Sequence, residues 1–345
     1  MNEKKNIIDQ SIELENCTYS KTILMLIIVF YHSALMYRRG GGWGPYEAAQ
    51  SAAVIGTLDV FLASFHLATF VLISGYLFYY VKFETRRYQK YLPFIGNKVK
   101  RLLVPYVFIA TIWVAPVYMH YYGMGTVVEK FVLGKEPAQL WFVLMLFWVF
   151  AIFWLISDFV NYHSILGFLI VCSIYCIGMF APAYYRINNG LQYMLIFYIG
   201  FLFRKYNLGN KIFYRIPSVV YIGANIGLFI LVDVLKNQEA ILMRFFFYGF
   251  DVLLSMVGAI GAFVILQRVI CRFPQSKILH FLSPYSFTIY LVHEQMIYFT
   301  IGLFNGIVPP IAVVSLNFFI SLTVSTLFAI IMNKTRITRF LIGNK

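Results

Sequence analysis

Charged residues are scarce in this chain, and acidic residues are the scarcest. Only 12% of the 345 residues are charged, with 14 acidic against 28 basic side chains, whereas soluble domains usually carry about 25% charged residues. Hydrophobic residues make up 61% of the chain, and the mean hydropathy is +0.75. This apolar content exceeds what one buried core needs and predicts a series of membrane spans.

Several functional motifs are also missing. The four cysteines show neither a paired extracellular spacing nor a zinc pattern, so we expect no disulfide framework and no metal site. The chain has no Walker loop, GxSxG, HExxH or dinucleotide fingerprint, which argues against ATP hydrolysis. Mixed acids and bases before the first apolar run, with no small-residue cleavage site, argue against a cleaved signal peptide.

The chain consists of a succession of apolar runs with no polar stretch long enough for a soluble domain. Each run is near the ~20 residues that cross a hydrocarbon core. We predict an all-α polytopic integral membrane protein with about ten transmembrane helices. The predicted spans are residues 22–37, 53–80, 102–121, 139–157, 164–182, 189–204, 216–235, 244–270, 284–304 and 309–332.

Lysine and arginine concentrate in alternate loops between these runs. With the N-terminus in the cytoplasm, 21 of the 28 basic residues fall on the cytoplasmic side, as the positive-inside rule requires. The net charge of +14 then reflects membrane topology, and we expect no nucleic acid partner. We predict a single membrane domain over 1–345 with both termini cytoplasmic. It comprises an interfacial lead-in (1–20), a membrane bundle (21–333) and a basic cytoplasmic tail (334–345).

Lys21 and His32 mark the two ends of the apolar run YSKTILMLIIVFYH in the first span. Eleven helical steps leave them about 20° apart around the axis and roughly 16 Å apart along it, so both face the same way. An ionisable histidine is costly at this depth, and a buried imidazole suits a general base. The competing interpretation is a packing histidine that hydrogen-bonds a neighbouring helix.

The second span carries Asp59 and His66 seven residues apart, on one helical face. Asp59 is predicted nearer the external surface, where a carboxylate binds sugar hydroxyls or orients a histidine. The alternative is an interfacial carboxylate solvated by water. Ser74 and Gly75 follow, and small residues in a span usually permit close helix approach.

The largest basic loop, residues 82–101, precedes the third span. Lys98 and Arg101 lie three residues apart on one helical face and are candidates to clamp the phosphates of a nucleotide-like ligand, with Arg87 nearby. The competing interpretation, an anchor against anionic lipid, explains the number of charges but not this pair.

Two later spans supply the remaining candidates. In LSPYSFTIYLVHEQM, Tyr290 and His293 share a face and Glu294 adjoins them, which favours sugar binding, histidine orientation or an inter-helix hydrogen-bond network. Trp141 begins the fourth span. Aromatic residues there usually belong to the interfacial belt, and stacking on a sugar ring is the less common role.

Four segments resemble motifs of the membrane-bound acyltransferase-3 family, and the likeness extends over nearly the whole chain. They are Lys21-(ten residues)-His32, FHLATFVLISGYLF at 65–78, KVKRLLVPY at 98–106 and SPYSFTIYLVH at 283–293. Family members often have arginine where this chain has Lys21 and Lys98, and an apolar residue where it has Glu294. The chain is most similar to stand-alone members that O-acetylate cell-surface polysaccharides.

The resemblance implies acetyl-CoA as a cytoplasmic acyl donor and a hydroxyl of a saccharide or lipid-linked saccharide as acceptor. His32 would act as general base or transient acyl acceptor, and His66 would complete the reaction centre. Lys21, with the basic loop, would meet the CoA phosphates. The protein would work in the plasma membrane of a bacterial cell envelope, surrounded by lipid.

Two alternatives remain open at this point. Ten spans with polar residues at the membrane centre equally suit a polysaccharide exporter or flippase without covalent chemistry, although the sequence shows no inverted repeat and no pair of Gly/Pro-broken helices. The transferred group is also undetermined, and a succinyl group is as compatible with these residues as an acetyl group.

Overall fold

The computed structural model describes residues 2–38, 43–135, 137–236, 238, 241–274 and 276–344. Within these ranges the side chains of residues 2–13, 241, 242, 244 and 245 are not described. Five basic side chains used in the orientation argument therefore fall outside the description, namely Lys4, Lys5, Arg39, Arg244 and Lys345.

The described residues form an all-helical bundle without strands, and 85% of the chain is helical. Short helices and turns connect the main helices. In chain order these are α1 (Asn2–Ala34), α2 (Ala53–Ala63), α3 (His66–Tyr79), α4 (Tyr91–Tyr122), α5 (Trp141–Tyr162), α6 (Ser164–Phe180), α7 (Ile187–Lys205), α8 (Ser218–Lys236), α9 (Ile241–Arg272), α10 (Ser286–Phe304), α11 (Pro310–Met332) and α12 (Arg336–Leu341).

The predicted fold class is confirmed, because each predicted span coincides with one helix or, for the second span, with two. Seven helical segments in the described chain are long and apolar enough to cross a membrane. The count of ten spans and the cytoplasmic placement of both termini remain predictions. The lead-in predicted at 1–20 is helical from Asn2 and continuous with the first span in α1.

The second predicted span is broken between α2 and α3. The backbone at Phe65 leaves the helical region (φ −133°), and Ser64 turns its hydroxyl back to the carbonyl of Phe61 at 2.7 Å. The continuous apolar run does not predict this break, because hydropathy reports how apolar the residues are and not their backbone angles. The break places His66 at the first position of α3.

Glycine permits a very close contact between α3 and α7. A Cβ atom on Gly75 would lie 1.9 Å from the carbonyl oxygen of Phe197, and one on Gly200 would lie 1.9 Å from the carbonyl oxygen of Leu72. The two helices therefore touch backbone to backbone through reciprocal glycines, as the Ser74–Gly75 pair predicts.

The first helix has a central position. It packs against α3, α9, α10 and α11, and its residues Leu24, Met25 and Val29 are fully or almost fully buried. Functional side chains on α1 are therefore surrounded by other helices. The third span, α4, contains two π-helical turns at Val99–Leu103 and Ala110–Val114. Such turns change locally which side chains lie on a given side of the helix, and they are frequent near functional sites.

Candidate active site

The centre of the site is a pair of histidines from α1 and α10. Nδ1 of His32 lies 2.8 Å from Nε2 of His293. Nδ1 of His293 lies 2.8 Å from the carbonyl oxygen of Tyr290 and 3.2 Å from that of Ile289. A carbonyl oxygen only accepts, so His293 carries its proton on Nδ1 and presents a lone pair on Nε2.

This arrangement fixes the tautomer of His32. Because Nε2 of neutral His293 accepts, Nδ1 of His32 must donate, and the Nε2 atom of His32 keeps its lone pair. The Oε2 atom of Glu294 lies 3.7 Å from that nitrogen, beyond hydrogen-bond distance but close enough to stabilise a protonated imidazole. An oriented imidazole with an unprotonated outer nitrogen beside a carboxylate is the arrangement a general base or a nucleophile needs.

The orientation of α10 is set by side chains that donate to its carbonyl groups. Gln139 donates to the Leu291 carbonyl at 2.6 Å, and Trp113 donates to the Val292 carbonyl at 2.9 Å. Ser321 donates to the carbonyl of His293 itself at 2.9 Å. These bonds fix the rotation of α10 about its axis and so hold His293 opposite His32.

Tyr290 joins the same network, because its hydroxyl donates to the backbone carbonyl of Gln139. The Gln139 side chain also bonds the amide of Gln295 at 2.8 Å. Gln139, Trp113 and Ser321 were not predicted as site residues, because a lone polar residue in an apolar run carries no spacing signal.

His66 lies near the histidine pair. Its Nδ1 donates to the carbonyl of Leu62 at 2.6 Å, so its Nε2 also keeps a lone pair. The Tyr31 ring adjoins both His32 and His66, with its centroid 4.9 Å from the centroid of each imidazole. The participation of His66 in the reaction centre stays a prediction.

A cavity of about 280 Å³ brings together three basic residues of the prediction, Lys21, Lys98 and Arg101. The Nζ atom of Lys98 lies 3.4 Å from the Phe150 ring centroid, and that of Lys21 lies 5.0 Å from the Phe70 centroid. Among the described residues that line this cavity, none is acidic. Three cations on aromatic walls, with no acidic residue among these lining residues, suit an anion.

The lining of the cavity includes a neighbour of the histidines and part of the C-terminal segment. Tyr290, which lines it, has its ring 5.9 Å from that of His293. Gly343 and Asn344, which follow α12, also line the cavity. Gly343 has φ +77°, and a Cβ atom there would lie 2.7 Å from Pro105, so glycine lets the segment pass close to α4.

Three predicted candidates lie outside the histidine centre and the cavity. Arg87 is exposed and does not line the cavity. Trp141 packs beneath Arg186, with the guanidinium carbon 5.1 Å from its ring, and shows no contact with either histidine in the described chain. Asp59 is fully buried, so the water-solvated interpretation does not hold, and it pairs with Arg38 at 2.8 Å.

Comparison with known proteins identifies the family. A model of the acyltransferase domain of the acyltransferase-3 family matches residues 16–332, which include both histidines and all three basic residues of the cavity. No curated protein and no solved structure gives a significant match to the chain. Since the matched domain spans nearly the whole all-helical bundle, the chain belongs to the membrane acyltransferase-3 family.

Proposed function

We propose that this acyltransferase moves an acetyl group from cytoplasmic acetyl-CoA to a hydroxyl of a cell-surface polysaccharide, in the plasma membrane of a bacterium. The observation that carries the proposal is the hydrogen bond from His32 to His293, which leaves the outer nitrogen of His32 unprotonated. Along α1 this imidazole lies about 16 Å from Lys21, so a long flexible thioester arm bound at the basic cavity would reach it.

The basic cavity is the proposed donor site. Lys21, Lys98 and Arg101 would meet the phosphate groups of CoA, to which basic side chains make strong charge-assisted hydrogen bonds. The cavity volume lies just below the roughly 300–1,000 Å³ typical of small-molecule sites. We therefore place the thiol arm inside and the nucleotide at the mouth, near the exposed Arg101.

Two chemical routes use the same nitrogen. In the first, Nε2 of His32 takes the proton of the acceptor hydroxyl while the hydroxyl oxygen attacks the thioester carbonyl. The C–O bond forms, the C–S bond breaks, and the imidazolium returns the proton to the leaving thiolate. In the second, Nε2 itself attacks the thioester carbonyl, so an N–C bond forms and the C–S bond breaks with release of the thiolate. The acceptor hydroxyl oxygen then attacks the acyl carbon, its C–O bond forms as the N–C bond breaks, and the hydroxyl proton goes to the thiolate. In the first route Glu294 would stabilise the imidazolium.

The experiment compares wild type with His32→Ala in nanodiscs supplied with labelled acetyl-CoA. We expect transfer to fall by at least about 100-fold, the lower range of what a positioned general base contributes, while acetyl-CoA still binds. His163→Ala removes an exposed histidine and is the matched control. Transfer by His32→Ala at the wild-type rate would contradict the mechanism.

The same variant in cells separates the enzyme from an exporter. Loss of surface ester with continued export of polysaccharide is the result expected of an acyltransferase, whereas loss of both favours the exporter. Mass spectrometry of the ester group distinguishes acetyl from succinyl transfer.

A further inference from the structure

The segment that follows α1 carries a partly buried ion pair in which some hydrogen-bonding atoms have no partner among the described residues. Nε of Arg38 donates to Oδ2 of Asp59 at 2.8 Å. Asp59 is 0% exposed, whereas the Arg38 side chain is 31% exposed. Nη2 of Arg38 and Oδ1 of Asp59 are both buried and find no hydrogen-bond partner among the described residues. Burying such atoms without partners costs free energy, so a ligand that bonds both gains from the site.

A glycine on α2 accounts for the position of this pair. A Cβ atom on Gly56 would lie 2.2 Å from the carbonyl oxygen of Tyr37, so α2 approaches the chain there as closely as only glycine allows. Gly56 precedes Asp59 by three residues and therefore shares its helical face. The close approach of α2 to Tyr37 places the Asp59 carboxylate beside Arg38, the residue after Tyr37.

The pair lies one aromatic ring from the reaction centre. The guanidinium carbon of Arg38 is 5.4 Å from the centroid of Tyr31, whose ring adjoins both His32 and His66. Trp43 packs against His32 with ring centroids 6.1 Å apart and is only 4% exposed. Its indole Nε1 is a third buried polar atom with no partner in the described chain.

These three atoms select for a particular chemistry. Arg38 and Trp43 offer N–H donors, and Asp59 offers an acceptor. A hydroxyl group both donates and accepts, so neighbouring hydroxyls satisfy all three atoms. A phosphate has no hydrogen-bond donor to offer Asp59, and the negative charge of Asp59 repels it. An alcohol with a single hydroxyl leaves most of the three atoms without a partner.

We infer that Arg38, Trp43 and Asp59 form an acceptor subsite that binds hydroxyls of a saccharide and presents another hydroxyl of the same molecule to His32. The inference rests on the proposed function and deepens it by assigning the acceptor side. Along the chain, Lys21 of the donor cavity precedes His32 and Arg38 of the acceptor subsite follows it, so His32 lies between the two sites in sequence.

The test uses the whole chain in nanodiscs, with polysaccharide from the source cells as acceptor after saponification has removed its esters. For Asp59→Asn we expect the half-saturating polysaccharide concentration to rise about ten-fold or more, because a charged hydrogen bond is lost. Trp43→Phe keeps the ring but loses the N–H, and we expect a rise of roughly three- to ten-fold. The KM for acetyl-CoA should stay within about two-fold of wild type, because the donor is proposed to bind at the basic cavity.

Asp158→Asn is the matched control, because it removes a carboxylate from the ion pair with Lys82, away from both sites. Unchanged polysaccharide dependence in both Asp59→Asn and Trp43→Phe would overturn the inference, as would an equal rise in the KM for acetyl-CoA. The Trp43→Phe result decides the matter if Asp59→Asn fails to fold. If the proposed function is wrong, the wild type will not transfer acetyl groups to the saponified polysaccharide. That result would also overturn the acceptor subsite, which rests on the proposed function.

Discussion

Gly75 of α3 and Gly200 of α7 each face the other helix, whose backbone occupies the space that a side chain would need. An alanine at either position would place a methyl group 1.9 Å from a backbone carbonyl oxygen. Backbone cannot move aside as a flexible side chain does, so the helices would have to separate. The position of α3, which carries His66 and Phe70, depends on this contact.

We expect Gly75→Ala and Gly200→Ala each to lower the free energy of unfolding by about 1–3 kcal/mol, the usual cost of overpacking. Thermal unfolding in nanodiscs followed by tryptophan fluorescence measures the effect. Gly223→Ala and Gly227→Ala are matched controls, since no atom lies within 4 Å of a Cβ at either position. Equal stability of all four variants would show that the helices yield without cost.

His293 is expected to act by fixing the tautomer of His32. His293→Leu removes the acceptor of the His32 Nδ1 proton, and we expect kcat to fall about 100-fold with the KM for acetyl-CoA unchanged. His293→Gln restores a carbonyl acceptor and should recover about ten-fold of that loss. Steady-state kinetics over a range of pH measure both variants. If the Leu and Gln variants lose the same activity, His293 is only a packing residue.

The cavity cations are expected to control affinity for the donor. Lys98→Gln and Arg101→Gln should each raise the KM for acetyl-CoA about ten-fold, because each removes a charge-assisted hydrogen bond to a phosphate. Acetyl-dephospho-CoA, which lacks one phosphate of acetyl-CoA, identifies the residue that contacts that phosphate. A variant of that residue should show a smaller difference in KM between acetyl-CoA and acetyl-dephospho-CoA than the wild type does. Lys90→Gln, on an exposed residue of the same loop, is the control.

Arg87→Gln provides an independent comparison, because Arg87 precedes the cavity residues in the chain but does not line the cavity. A ten-fold effect of Arg87→Gln on the KM for acetyl-CoA would mean that the nucleotide extends over the basic loop. An effect below about two-fold would confine donor recognition to the cavity.

The C-terminal segment is expected to support the donor site through Gly343. Gly343→Ala combines a left-handed backbone, which costs about 1–3 kcal/mol for most residues, with a contact 2.7 Å from Pro105. We expect faster proteolysis of the segment after α12 and a several-fold higher KM for acetyl-CoA. Gly123→Ala has a similar φ of +81° but meets no atom within 4 Å, so it isolates the strain from the clash. Equal effects of both variants would exclude a role for the contact with α4.

Sequence patterns within one helix predicted much of this molecule. Helical geometry alone places Lys21 and His32 on one side of α1, and hydropathy locates the long apolar helices. The late segment around His293 was also identified, because a histidine next to a glutamate is conspicuous in an apolar run. These signals lie within single helices. The spacing of residues along a helix is the same in the folded protein as in the prediction.

Features that depend on contact between distant segments were not predictable. Arg38 looks like one more charge at the end of a span, and its pairing with Asp59 depends on the approach that Gly56 permits. Trp141 was an acceptor candidate by position, and its contact with Arg186, the residue before α7, joins parts of the chain that are distant in sequence. The segment at Gly343 was expected to be a basic tail, and its contact with α4 arises only in three dimensions.

His32 and His293 are 261 positions apart in the chain. The ribosome therefore delivers the first imidazole to the lipid long before its hydrogen-bond acceptor has been synthesised. Until α10 has been inserted, the contact between His32 and His293 does not exist. Under the proposed function, a polypeptide that ends before α10 would lack the acceptor for the His32 Nδ1 proton, and acyl transfer would require translation through α10.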